Sequence, residues 1–281
     1  MKSMEEEVQG SSETDCTVIE SAADSLDGSV IFHAINDISG FVLYMHQQIP
    51  SMLQDISFEF ETLCTDYKEL EMGRIETQGK ASLRRKQASE MREVKQGIRR
   101  LEKLMRVVSD FQNAIKLMIS EVPNVQGAIL VLGASPLRPQ HVYELCFSHG
   151  ESASSVAHDF TKTRAAEVLS RKAIRALISK GAGSGSYPGI SKLFLLVKAP
   201  SSFSLPLHFL PKRDFRYSKK IMPFRVQFKC RTQAGLEVEA VELASHAGSS
   251  IDLIESTRND SIWFQCRHVI KGLAFNTETE E

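Results

Sequence analysis

The chain has 281 residues, and its 34 Lys and Arg residues nearly balance 35 Asp and Glu residues, for a formal net charge of −1. This balance argues against a dedicated nucleic-acid-binding protein, which is usually basic. No apolar run approaches the roughly 20 residues of a membrane helix, and the N-terminus lacks a signal-peptide pattern. The five dispersed cysteines predict a reducing compartment and neither a disulfide framework nor a structural zinc site.

The two ends of the chain are predicted to be tails. Residues 1–27 contain eight acidic residues and one basic residue. Such a segment buries too little apolar surface to offset the entropy lost on ordering, so it is predicted to be a disordered acidic tail. Residues 276–281 are predicted to be a second acidic tail. The interval 28–275 is predicted to form a single domain.

Helical periodicity dominates the first half of this domain. A helix is predicted over residues 28–48, with Ser29 as its N-cap and Pro50 as its stop. A shorter helix is predicted over 58–70 and a long core-packed helix over 96–120. The polar residues 71–95 between them predict a flexible, solvated connection or the frayed start of the long helix.

The connection at 71–95 contains the basic triplet Arg84-Arg85-Lys86. Such a triplet is a candidate nuclear-import patch, although an ordinary solvated charged stretch is the favoured interpretation.

Strand patterns dominate the second half. Strands are predicted at 128–132, 142–147, 193–197, 222–231, 236–240 and 262–272, with a helix at 161–180. In the last strand Ile262, Phe264, Cys266 and Ile270 are expected to point inward and Trp263 to the opposite face. In the strand at 222–231, Met222, Phe224, Val226, Phe228 and Cys230 are expected to share the inner face. The order of elements predicts an α+β fold with a mostly antiparallel sheet and helices packed on one face.

The helix at 161–180 has apolar residues on two faces. One face carries small apolar residues suited to packing on a sheet, and the other places Val168, Ile174 and Ile178 among Arg164, Arg171 and Arg175. Large apolar groups framed by arginine are typical of protein interfaces. From spacing alone, a partner and another element of the same chain are equally good candidates to cover this face.

A long irregular segment is predicted at 200–221, between two strands, and it contains the motif FLPKRDFR at 209–216. Long loops are exposed and often functional, and Lys212, Arg213 and Arg216 could bind an acidic partner. A merely solvated basic loop is the competing interpretation.

Catalytic and ligand-binding motifs are not found. Neither a nucleophile elbow nor a zinc-protease, P-loop or calcium-loop pattern occurs, and the eight histidines are scattered. The sequence therefore predicts no cofactor and no metal site, and nothing in it favours an active site assembled from distant residues.

Three stretches together resemble the comet family of spindle-checkpoint adaptors. They are AILVLGASPLRPQHVYELCF at 128–147, FLPKRDFR at 209–216 and SIWFQCRHVIKG at 261–272, and Gln47-Gln48-Ile49-Pro50 also agrees in position. The stretches keep the family's order and spacing. The resemblance implies a HORMA-like fold without enzymatic activity.

The resemblance also implies two partners: the closed conformer of a checkpoint HORMA protein of the mitotic-arrest-deficient type, and the hexameric AAA+ ATPase that remodels such proteins. Ile174 stands where family members carry an aromatic anchor, and Met45 where they carry a glutamine. Pro211 and Lys212 match the family's ATPase contact, and Trp263 and Phe264 lie in its C-terminal strand motif. The implied checkpoint-partner interface comprises Met45, Val168, Arg171, Ile174, Arg175 and Ile178.

The implied role is silencing of the spindle checkpoint in mitosis or meiosis, in the nucleus and cytoplasm and at the kinetochore or spindle, without a membrane or nucleic-acid partner. One alternative is another HORMA-type protein of meiotic chromosome axes or repair that captures a closure-motif peptide. Only nine residues follow Gly272, which is little material for a separate safety belt and favours the adaptor. A second alternative is an enzyme with a dispersed active site.

Overall fold

The structure is a computed structural model that describes residues 16–21, 26–76, 81–149, 159–185, 189–218, 220–230 and 261–273. Its helices are α1 (Gly28–Met45), α2 (Ile56–Glu76), α3 (Ala81–Glu121) and α4 (Arg164–Ser179). Its strands are β1 (Cys16–Glu20), β2 (Gly127–Ser135), β3 (Arg138–Ser148), β4 (Lys192–Pro200), β5 (Phe209–Lys212), β6 (Phe224–Lys229), β7 (Ser261–Cys266) and β8 (Ile270–Lys271).

The eight strands form one sheet in the order β1-β6-β3-β2-β4-β7-β5, with β8 also paired to β4. Strand β6 pairs in parallel with both β1 and β3, and the other pairs are antiparallel. The predicted α+β class with a mostly antiparallel sheet is therefore confirmed.

Both faces of the sheet are buried, by different means. On one face, alternate residues such as Leu130, Leu195 and Phe264 join the main core with α1, α3 and α4. On the other face, Val131 and Leu196 join a smaller core to which Phe215 and Tyr217 contribute. The helices thus pack on one face as predicted, and the continuous apolar runs in β2 and β4 are explained by burial on both sides.

At 71–95 the interpretation as a flexible connection is wrong, and the alternative of a helix start is nearer to the structure. Residues up to Glu76 continue α2 and residues from Ala81 onward begin α3, so the two helices form a long hairpin. A Cβ added at Gly97 of α3 would lie 3.3 Å from Leu63 of α2, which shows how closely the helices approach. Because only one side of the first part of α3 contacts α2, few residues of this part are apolar. Its composition is therefore mostly polar.

The predicted tail at 1–27 is also partly wrong. Residues Cys16–Glu20 form β1 at one edge of the sheet, and Leu26 is fully buried. Asp27, not Ser29, caps α1, because its carboxylate accepts a hydrogen bond from the Val30 N–H at 2.7 Å. Ser29 instead donates its hydroxyl to the Thr161 carbonyl at 2.9 Å.

Several other expectations concern boundaries. Helix α1 ends at Met45, before the expected stop at Pro50, and the interval expected as one irregular segment at 200–221 contains β5. Met222, expected on the inner face of its strand, is 80% exposed because β6 begins only at Phe224. The predicted strand at 236–240, and the tail residues 1–15, 22–25 and 274–281, lie outside the described residues.

A buried glutamine joins the end of α1 to the segment before β4 by its side chain and to the residue after β8 by its backbone. The Gln48 side-chain amide donates to the carbonyls of His46 at 2.8 Å and Gly189 at 3.1 Å, and its oxygen accepts from the Ser191 N–H at 2.7 Å. The Gln48 backbone carbonyl accepts from the Leu273 N–H at 2.7 Å. A single side chain therefore satisfies the backbone groups of two separate segments.

Replacing Gln48 by alanine should lower the free energy of unfolding by about 1–3 kcal/mol, because buried backbone donors and acceptors would lose their partners. Urea denaturation measures the loss, with exposed Gln54→Ala as the matched control. Equal stability of the two variants would contradict this role for Gln48.

Candidate functional site

Helix α4 is held on the molecule by a narrow apolar stripe. Its N-cap Thr163 accepts a hydrogen bond from the Ala166 N–H at 3.2 Å, which fixes the first turn. Ala166, Leu169, Ala173 and Leu177 are buried, and the helix packs against α1. The small apolar face is therefore buried as predicted, but it packs mainly on α1 and reaches the sheet at β1.

The opposite face of α4 is open to solvent. Val168 is 42% exposed and Ile178 is 51% exposed, while Arg171 and Arg175 are also exposed. Arg171 donates to Glu167 across one helical turn at 2.6 Å. Among the described residues no other element covers this face, so the structure offers exposed apolar groups framed by arginine.

Ile174 differs from its neighbours because it is half-buried. It packs against the main core and lines a cleft of about 330 Å³ between α4, α1 and the segment around Leu53. Lys162 and Asp37 form an ion pair at 2.8 Å in the wall of the same cleft. Ile174 therefore lies at the border between the core and the open face.

Met45 lies next to the C-terminal end of α4. It is half-buried, and a Cβ added at Gly183 would come within 2.7 Å of the Met45 Cβ. Gly183 has φ +82°, a conformation that favours glycine, so this close approach depends on glycine. The structure thus brings Met45 to the turn that follows Ile178.

The second predicted site lies on an edge strand. Strand β5 pairs with β7 on one side, with Pro211 opposite Phe264 and Lys212 opposite Trp263. Within the described part of the chain its other side has no strand partner. Phe209 is buried and anchors the strand, while Leu210, Pro211 and Lys212 are exposed. Proline is suited to such an edge, where one backbone N–H is not needed for pairing.

A cleft adjoins this edge. It is lined by Pro211, Lys212 and Phe215 on one side and by Leu137 of the turn between β2 and β3 on the other. Leu137 is 69% exposed. The cleft therefore combines exposed apolar surface with the positive charges of Lys212 and Arg213.

Trp263 and Phe264 point to opposite faces of β7, as predicted. Phe264 is buried in the main core, where its ring meets that of Phe203 edge to face at 4.9 Å. Trp263 is half-buried in the smaller core and meets the Phe215 ring at 6.4 Å. Trp263 therefore supports the segment that follows β5. The alternation of residues in the sequence places Trp263 on the outer face but does not indicate this contact.

A polar group that sequence reasoning missed holds the same segment. Glu144 of β3 accepts hydrogen bonds from the Tyr217 hydroxyl and, at 2.6 Å, from Arg225 Nε. Burial and the Glu144 carboxylate raise the pKa of Tyr217, which therefore stays a hydrogen-bond donor at neutral pH. Alternation in β3 and β6 indicates that Glu144 and Arg225 share the outer face, but the pairing of these strands is long-range and is not evident from spacing.

The two predicted surfaces lie at opposite ends of the sheet. Helix α4 contacts β1, the strand at one edge, and β5 is the strand at the other edge. The structure therefore does not bring the residues of α4 together with Pro211 and Lys212, and the two groups form separate candidate sites.

The ionisable cluster nearest to Met45 is buried and neutral. His46 Nε2 and the Tyr143 hydroxyl are hydrogen bonded at 2.7 Å, and the ring of His141 lies 4.0 Å from that of His46. Burial, reinforced by His141, lowers the pKa of His46 to about 4. No group of metal-binding side chains is found among the described residues.

This burial predicts a pH-dependent stability. The pKa of His46 is lower in the folded state than the ordinary value of 6.5, so the unfolded chain binds the proton more readily as pH falls from 6.5 towards 4. The free energy of unfolding should drop by about 2 kcal/mol between pH 7.5 and pH 5. Urea denaturation at both pH values checks this, and a His46→Leu variant that retained the same pH dependence would contradict the assignment to His46.

No protein-family model matches the chain, and no curated protein matches it with significant similarity. Among the described residues, no helix is both long enough and apolar enough to span a membrane.

Proposed function

We propose that the chain is a non-enzymatic adaptor with a HORMA-like fold, which binds the closed conformer of a checkpoint HORMA protein and presents it to a hexameric AAA+ ATPase. The proposal rests on the three comet-like stretches, two of which fall on the paired strands β5 and β7. The observation that supports it best is the uncovered outer face of α4, with Val168 and Ile178 exposed between arginines.

The outer face of α4 suits a protein partner of defined shape. Its apolar groups would lose water on binding, and Arg171 and Arg175 would frame them with donors for carboxylates or carbonyls. Because α4 is fixed by its buried stripe and its N-cap, little conformational entropy would be lost when the partner docks.

The edge at β5 suits a second partner. Lys212 presents a positive charge on a strand whose backbone is restrained by Pro211 and by pairing with β7. Acidic groups on an ATPase would be attracted to this edge, and the contact would weaken in high salt. An adaptor needs two surfaces that work at the same time, and the separation of α4 from β5 across the sheet permits this.

The proposal is tested by calorimetric titration of the chain with the checkpoint protein locked in its closed or its open conformer. We expect the closed conformer to bind at least 100-fold more tightly, equivalent to about 2.7 kcal/mol. Equal binding of both conformers, or of neither, would contradict the adaptor. Binding of a closure-motif peptide in place of the closed conformer would instead favour the alternative of a peptide-capturing HORMA protein.

A further inference from the structure

The solvent-facing side of the helical hairpin carries a row of positive charges. We define the basic stripe as six exposed residues of α3, namely Arg84, Arg85, Arg92, Lys95, Arg99 and Lys103. At 100° per residue they fall within an arc of about 100° that points mainly away from α2, although the Lys95 Nζ lies 6.0 Å from the ring centroid of Tyr67 in α2. The near-neutral charge of the whole chain conceals this local concentration.

The basic stripe is long and rigid. Its residues extend over about 29 Å of helix, at about 1.5 Å per residue. Continuous helical hydrogen bonding and packing against α2 hold the charges in fixed positions. Glu102 also lies on this arc and pairs at 3.5 Å with Arg106, which continues the row beyond Lys103. Over the described part of the chain, no ion pair neutralises the six residues of the stripe itself.

The composition of the stripe distinguishes between classes of partner. The only apolar residue on this arc between Arg84 and Lys103 is the exposed Ala88, too small to act as an anchor. Protein interfaces depend on buried apolar or aromatic anchors, whereas interfaces with nucleic acid are polar and strongly positive. Arginine, which provides four of the six charges, pairs well with phosphate. Because the Ala88 side chain is small, the surface of a partner can come close to the helix at this position.

Two other occupants fit less well. A second copy of the chain could offer Glu59, Asp66 and Glu69, which share an arc of about 80° on α2, but Glu59 is only half-exposed and three carboxylates match only part of the six positive charges. A single nucleic-acid strand would be expected to stack its bases on aromatic side chains, and the stripe has none. A rigid polyanion therefore fits the rigid row of positive charges better than either of these two partners.

We propose that the basic stripe of α3 binds the phosphate backbone of a nucleic-acid duplex, without sequence specificity. The surface is distinct from α4 and β5, so the inference is independent of the adaptor function. Binding would be dominated by counterion release and would weaken steeply with salt.

The test is fluorescence anisotropy of a labelled 20-base-pair DNA duplex titrated with the full chain at 50 and 200 mM salt. We expect saturable binding at 50 mM salt and at least tenfold weaker binding at 200 mM. The triple variant Arg92→Glu, Lys95→Glu and Arg99→Glu should lose at least tenfold in affinity at 50 mM salt. The matched control Lys68→Glu, Lys192→Glu and Lys220→Glu changes the net charge equally at exposed positions outside α3 and should lose less than threefold.

Three results would overturn the inference. The first is no binding of the duplex at 50 mM salt. The second is an equal loss of affinity in the two triple variants, which would reflect net charge alone. The third is equal or tighter binding of a 20-residue polyglutamate peptide, which would assign the stripe to an acidic protein segment. Circular dichroism melting of each variant ensures that only folded protein is compared.

Discussion

Phe264→Ala should lower the free energy of unfolding by about 3–5 kcal/mol, as truncation of a buried aromatic side chain does. Phe264 is only 4% exposed, and it lies between β4 and β5, where its ring packs edge to face on Phe203. Its loss would leave a cavity at the strand that supports the β5 edge, and chemical denaturation measures the effect.

Trp263→Ala is the matched comparison, because it removes the neighbouring aromatic ring on the other face of β7. Trp263 is half-buried in the smaller core, so the loss of stability should be smaller than for Phe264→Ala. If the tryptophan variant were the less stable of the two, the assignment of faces in β7 would be contradicted.

Ile174→Glu should weaken binding of the closed checkpoint protein at least 100-fold, because it would bury a charge where the proposed interface borders the core. Ile174 also packs against the core, so some loss of stability is expected with this variant. Ile178→Glu therefore serves as a second variant, since Ile178 is largely exposed and contributes little to the fold.

Ala165→Glu is the control for both variants. Ala165 is exposed on α4 but lies outside the arc of Val168, Ile174 and Ile178, so the substitution adds the same charge away from the proposed contact. Calorimetry should show unchanged affinity for this control. Wild-type affinity in both Ile174→Glu and Ile178→Glu would remove α4 from the proposed interface.

The sequence predicted the sheet well where each strand carries its own pattern. The continuous apolar runs of β2 and β4 and the alternation around Phe264 determine which residues are buried, and the structure confirms both. The position of α4 and its two faces were also predictable, because the small apolar residues recur at helical spacing.

The sequence failed where structure depends on long-range pairing. Strand β1 is short and lies in an otherwise acidic segment, and β6 provides its hydrogen-bond partners. The strand character of Pro211 and Lys212 likewise comes from pairing with β7, not from local propensity. The extended α2–α3 hairpin appeared flexible because charged residues on its solvent side outnumber the few apolar residues between the helices.

The candidate sites were likewise predictable where they depend on local spacing and not where they depend on long-range contacts. The apolar face of α4 could be located from spacing, but spacing could not show that no described element covers it. Gln48 is an ordinary polar residue in the sequence, and only the fold reveals that its side chain joins the end of α1 to the segment before β4. Residues that act by linking distant segments leave no periodic signal.

The central claim, that one chain binds the closed checkpoint protein and presents it to the ATPase, is tested most directly by a conversion assay. The assay measures how fast the ATPase, with ATP, converts the closed partner to its open form. It is run with the wild-type chain and with the double variant Pro211→Ala and Lys212→Glu. Binding of the closed partner is measured on the same proteins. Exposed Lys192→Glu controls for the change in charge. We predict that the wild-type chain and the control stimulate conversion, and that the double variant binds the closed partner normally but does not stimulate conversion. Full conversion with the double variant, or no stimulation by the wild-type chain, would contradict the account.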